Sequence, residues 1–185
     1  MISLFIDTSL FDVSIALVKE GKLLSNIKNT SPKEHSIYTT KFIEDILKEN
    51  NLEPSDVNEI VVVNGPGSFT GIRIGVTIAK MYAYLLKIKE ITSLKIRVLG
   101  FTGDYFLSTI DAKHGNYYIG LYDKEYNTIT EEFNNIDRID ELKEKYNPVL
   151  VTEADDYDIE EIIKYAKNLP SINPHAVNPV YLKLP

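Results

Sequence analysis

The chain has 185 residues, 44% of them hydrophobic, and a formal net charge of −7. That length accommodates one domain or two small lobes around a buried core, and the acidic balance argues against autonomous nucleic-acid binding, which needs a basic surface. There is no cysteine, which excludes disulfides, thiolate metal sites and cysteine nucleophiles.

The first strand is expected at Ile2 to Ile6, directly at the N-terminus and without a basic leader. Val13 to Val18 predicts a second strand, and the turn Lys19-Glu20-Gly21-Lys22 leads to a third at Leu23 to Ile27. Ser31-Pro32-Lys33-Glu34 has the form of a capping box with proline at the first helical position. A helix is expected from there to Lys48, ended by Asn50, Asn51 and Pro54. Ile60 to Val63 reads as a buried strand and runs into Asn64-Gly65-Pro66-Gly67-Ser68-Phe69-Thr70-Gly71-Ile72-Arg73-Ile74-Gly75, with a helix expected from Ser68 to Leu86.

The second half repeats this β-β-β-α-β-α order. Strands are expected at Phe106 to Ile110, Tyr117 to Tyr122 and Thr128 to Phe133, then a helix from Asp137 to Tyr146, a strand at Val149 to Thr152 and a helix from Asp156 to Asn168. The opening hairpins align at an offset of 104 residues, with Ile6 and Asp7 on Ile110 and Asp111, and Ile15 and Leu17 on Ile119 and Leu121. Two related units, 1–97 and 98–185, are the expectation, with the proline-bearing tail from Pro170 as an extended crossing segment. A duplicated unit with an aspartate ending each first strand resembles the actin/Hsp70/sugar-kinase superfamily, an α/β (ribonuclease H-like) fold, here with a shortened second lobe. That resemblance does not fix activity. No apolar run approaches membrane-spanning length, so a cytoplasmic protein with no membrane attachment is expected.

The glycine turn sits where a strand hands over to a helix, a place that offers free N–H groups and the positive helix end. Gly65, Pro66, Gly67, Ser68 and Thr70 can cradle a phosphate or set a tight backbone path. It is neither a Walker A loop nor a dinucleotide fingerprint, and physics alone favours packing. In the following helix Gly71, Gly75, Ala79 and Ala83 recur every four residues and line one face, while Arg73, Thr77, Lys80 and Lys87 form a narrow polar strip. In the first helix Tyr38, Phe42, Ile43, Ile46 and Leu47 spread over half the circumference. Both apolar faces are wider than a surface helix needs. Intramolecular burial and pairing with another chain are the two explanations, and both stay open.

Asp7 and Asp111, with Thr8, are placed to approach a magnesium-nucleotide from the two lobes; the alternative is turn capping, favoured for Asp111 by the adjacent Lys113 and His114. His35, His114 and His175 lack ligand spacing, so no metal site is expected.

Several stretches together resemble the TsaB (YeaZ) family: Ile6-Asp7-Thr8-Ser9, His35-Ser36, Asn64 through Lys80, Ile110-Asp111-Ala112-Lys113-His114-Gly115-Asn116-Tyr117-Tyr118, and Pro179-Val180-Tyr181-Leu182-Lys183. The glycine motif is the specific part. The resemblance implies a scaffold role in making threonylcarbamoyladenosine on tRNA, as the non-catalytic companion of the transferase TsaD, whose fold the family shares. It also implies pairing through a helical bundle, the ATPase TsaE as a further partner, tRNA contacted only through the complex, and a homodimer when alone. No cofactor of its own is expected, though ATP or ADP at the partner interface is compatible with it. Catalytic TsaD-like members carry H-x-x-x-H after the segment corresponding to Ile91-Thr92-Ser93. Here Ser93-Leu94-Lys95-Ile96-Arg97-Val98 follows, with no histidine.

The residues expected at the partner interface are His35, Tyr38, Thr39, Phe42 and Ile46 from the first helix. Gly71, Arg73, Gly75, Thr77, Ala79 and Ala83 join them from the second. Gly75→Leu is expected to weaken pairing more than folding. The competing readings are a small ATPase or sugar-kinase-like enzyme and a homodimer with an unrelated binding role.

Overall fold

The computed structural model describes residues 1–29, 35–83 and 86–182, and of His35 the backbone only. The expected capping box at Ser31 to Glu34, and Lys183 of the C-terminal motif, lie outside the described residues. In the first half, β1 (Ile2–Asp7), β2 (Val13–Lys19) and β3 (Lys22–Asn29) form an antiparallel meander, followed by α1 (His35–Glu49). β4 (Glu59–Val63) then returns parallel to β1. α2 (Phe69–Tyr82) comes next, and β5 (Lys87–Ile91) pairs parallel with β4, giving the sheet order β3-β2-β1-β4-β5.

α3 (Ser93–Val98) leads to a second sheet made by β6 (Tyr105–Asp111), β7 (Asn116–Asp123) and β8 (Thr128–Asn135). α4 (Ile136–Tyr146) and β9 (Val149–Thr152) follow, and the order is β8-β7-β6-β9. The last helix is α5 (Ile159–Ala166). Each sheet is a three-strand meander with a parallel return strand beside its first strand, the duplicated unit of the actin-like fold. The offset alignment slips by one residue in pairing: Ile6 faces Ile15, whereas Ile110 faces Tyr118.

Two elements were not expected from the sequence. β5 reads Lys-Ile-Lys-Glu-Ile, with three charges in five residues and so little strand propensity of its own. Tertiary contacts fix it: Lys89 donates to the Leu169 carbonyl, and Ile172 bridges to Ile88 from the tail. α3 spans only six residues, too short to show a period. Its N-cap Thr92 accepts from the Lys95 N–H at 3.2 Å, and five of its residues are buried.

The first sheet is covered on both faces, which is why β1 and β4 read as continuous apolar runs. Leu4, Ile6, Ile15, Leu17, Ile60 and Val62 face α1 and α2. Phe5, Ala16, Val18, Val61 and Val63 face α5, through Ile159, Ile162, Ile163 and Ala166. α3 lies between the sheets, with Ile96 against the first and Leu94 and Val98 against Phe106, Ile110 and Tyr122 of the second. α4 covers the far face of the second sheet through Ile139 and Leu142.

Within the expected second unit, 98–185, α5 and the tail pack on the first sheet and its helices. Exposed ion pairs also span that contact, Lys22 to Glu160 at 2.9 Å and Lys28 to Asp156 at 3.1 Å, and contribute little beside the apolar packing. The tail then crosses to α2 as an extended segment, with Val177 buried beside α1 and α2 and the Val180 N–H donating to the Asn64 carbonyl at 2.7 Å. Among the described residues, no helix is long and apolar enough to cross a membrane.

A candidate partner surface opposite the glycine clasp

The glycine turn holds the start of α2 against the turn that follows β1. Gly65 and Gly67 take φ of 112° and 155°, and Gly65 lies against the Val180 carbonyl of the tail. The Ser68 N–H donates to the Ser9 carbonyl at 2.7 Å, and the Ser68 hydroxyl caps α2 by accepting from the Gly71 N–H at 3.2 Å. The Thr8 hydroxyl donates to the Gly71 carbonyl at 2.7 Å. A Cβ at Gly71 would run into the Thr8 carbonyl oxygen, and one at Gly75 would run into the Thr8 side chain. These glycines let a helix and a strand end approach more closely than any side chain permits. Two N–H groups of the turn are thus engaged within the chain, that of Ser68 by Ser9 and that of Gly71 by Ser68.

Within that geometry the residues expected at the interface fall into buried and exposed sets. Gly71, Gly75, Ala79 and Ala83 are buried against their own chain and face the sheet. Gly75→Leu would thus strain the fold itself. Thr39, Phe42 and Ile46 are also inside, with Thr39 and Ile46 at 0% exposure. Tyr38 is half-buried and packs on Phe42, with ring centroids 5.6 Å apart. Arg73, Thr77 and Thr70 are exposed, as expected of an outer face. The His35 side chain lies outside the described residues.

The exposed stripe of α2 is Phe69, Arg73, Thr77 and Met81. It lies two residues, or about 200°, around the helix from the glycine-alanine stripe. Phe69 is 56% and Met81 72% exposed, and Ile37 at the start of α1 is 60% exposed. A groove of about 350 Å³ runs between the two helices, lined by Ser36, Phe69, Thr70, Arg73, Ile74 and Thr77 among others. Sequence reasoning missed Ile37, Phe69 and Met81. The signal was available in the spacing, since the face opposite a small-residue stripe that packs on a sheet must point outward.

The aspartates have different fates. Asp7 is 5% exposed; one carboxylate oxygen accepts from the Ser9 N–H at 2.8 Å and the Ser9 hydroxyl at 2.6 Å, and the other accepts from the Tyr157 hydroxyl at 3.1 Å. Burial, reinforced by the Asp7 charge, pushes the Tyr157 hydroxyl well above its ordinary range. Thr8 is fully buried. Asp111 lies in a cleft of about 300 Å³ between the lobes, with Leu10, Phe11, Ser68 and Tyr118. Lys113 pairs with it at 2.8 Å and, with its own N–H, holds the Asp111 carboxyl below its ordinary range. Asp7 is not among the residues lining that cleft, so the two aspartates do not meet on it. Among the described residues, no group of three or more histidines and carboxylates is arranged to hold a metal ion.

Comparison with known proteins bears on this arrangement. A family model described as TsaD: tRNA N6-adenosine threonylcarbamoyltransferase matches residues 22–174. The chain is 36% identical to the tRNA threonylcarbamoyladenosine biosynthesis protein TsaB of Bacillus subtilis over 81% of its own length and 69% of the relative's. To the protein of that name from Escherichia coli it is 31% identical, over 68% of its own length and 57% of the relative's. The structure of YeaZ from Pseudomonas aeruginosa superposes with a TM-score of 0.80 at 21% identity, covering 98% of this chain and 99% of that one, which places the two in one fold. By these matches the chain belongs to the TsaB (YeaZ) family, within the wider family that the TsaD model describes.

Proposed function

We propose that this chain serves tRNA threonylcarbamoyladenosine biosynthesis as a non-catalytic scaffold that pairs with TsaD through the outer face of α1 and α2. The exposed stripe carries the reading: Phe69, Met81 and Ile37 place large apolar side chains in water beside a groove, the usual mark of a partner site. The buried glycine stripe supports it by fixing α2 rigidly beneath that face. The segment Ser93 to Val98, where catalytic relatives of the resemblance carry their paired histidines, is instead a buried helix between the sheets. TsaE is a further partner on this reading, and tRNA meets the chain only within the complex. Any ATP or ADP belongs to the partner interface, because Asp7 and Thr8 are committed inside the protein.

Reconstituted tRNA modification tests this. With TsaD, TsaE and threonylcarbamoyl-adenylate supplied, omission of this chain is expected to abolish modification, and the chain alone is expected to modify nothing. Full modification in its absence would defeat the scaffold reading; modification by the chain alone would defeat the non-catalytic one. A second copy can cover the same stripe, so self-association alone supports neither side.

A further inference from the structure

We propose that Arg73 is a preorganised anchor for a carboxylate on the TsaD partner, and that Tyr181 of the tail is the brace that aims it; this rests on the pairing reading above. Arg73 stands in the middle of the exposed stripe of α2. Its guanidinium carbon lies 3.7 Å from the centroid of the Phe69 ring and 5.8 Å from that of Tyr181. The two rings are 5.4 Å apart, so the guanidinium is bordered by aromatic faces. Its Nε donates to the Tyr181 hydroxyl at 2.8 Å. That is its one side-chain hydrogen bond among the described residues, and it pairs with no carboxylate there.

Arginine has five N–H donors in a planar fork. With Nε committed to Tyr181, the Nη donors remain for an acceptor that takes them in pairs, a carboxylate or a phosphate, and on a protein partner that is a carboxylate side chain. Stacking on Phe69 removes rotamer freedom before a partner arrives, so less is lost on binding. The charge pattern selects the same occupant. α2 carries Arg73 and Lys80 and no acidic residue, in a chain whose net charge is −7. Phe69, stacked on the guanidinium, would shield a docked pair from water, the setting in which such a contact becomes an energetic centre. Tyr181 comes from 108 residues away and is held close by the Val180 bond to Asn64, so the tail forms part of the docking face.

Titrations of TsaD with wild type, Arg73→Gln, Arg73→Lys and Arg73→Glu test the idea, each with a melting curve of the chain alone. Arg73→Gln is expected to weaken binding about ten- to a hundredfold and to flatten its salt dependence. Arg73→Lys should recover only part of the loss, since lysine keeps the charge without the fork. Arg73→Glu should be the weakest and should be rescued by one carboxylate-to-arginine change on the TsaD helices. All three should melt within about 2 °C of wild type, as an exposed change does. If wild type binds TsaD and Arg73→Glu binds equally well, the anchor is overturned while the pairing reading stands. An effect of Arg73→Glu on self-association alone would also overturn it, pointing to a second copy as occupant. If wild type does not bind TsaD at all, both fall.

Discussion

Met81→Asp is expected to lower the affinity for TsaD about a hundredfold, the loss typical of a charge buried at the centre of an apolar contact. Met81 is 72% exposed in the last turn of α2, so its side chain contributes little to the core. An aspartate there opposes the helix dipole at a cost of about 0.5 kcal/mol, which for a chain of this size lowers the melting temperature by about 1–2 °C. Calorimetric titration of TsaD, paired with thermal unfolding of the free variant, separates the two effects. Unchanged affinity would show that the partner docks elsewhere.

Gly71→Ala is expected to act the opposite way, destabilising the fold first. In an ordinary helix, replacing glycine by alanine stabilises by about 1 kcal/mol. Here the new Cβ collides with the Thr8 carbonyl oxygen, backbone that cannot swing aside, and the Thr8–Gly71 hydrogen bond sits at the same point. Overpacking of this kind costs about 3 kcal/mol at the upper end of its usual range, or a melting temperature about 6–12 °C lower. A melting temperature equal to or above that of wild type would show that α2 is not clasped to the β1 turn.

Much of this was legible in the chain. The two meanders, the return strands β4 and β9 and the helices that follow announce themselves through apolar runs and turn residues, because each buries enough surface to leave a pattern. β5 and α3 do not, since one is a charged edge strand defined by pairing and the other is six residues long. Residues 159–182 could be read as a helix and an extended tail, but not as the cover of the first sheet, since nothing local states which sheet an amphipathic helix will choose. The site divided in the same manner. The glycine-alanine stripe was read as a close-packing face and expected at the partner interface: periodicity says that 71, 75, 79 and 83 share a side, and only the Thr8 contacts say what lies against it within the chain. Arg73 and Thr77 were found as a polar strip, while Phe69 and Met81, which share that face, were not singled out because they are apolar.

The central claim is that this chain meets TsaD with the outer face of α2. Photo-crosslinking from single positions tests it most directly, with a photoreactive residue at Thr77 in the stripe and another at Leu150, 44% exposed on the second sheet. The account predicts a crosslink to TsaD from position 77 and none from position 150. A crosslink from 150 with none from 77 would contradict it.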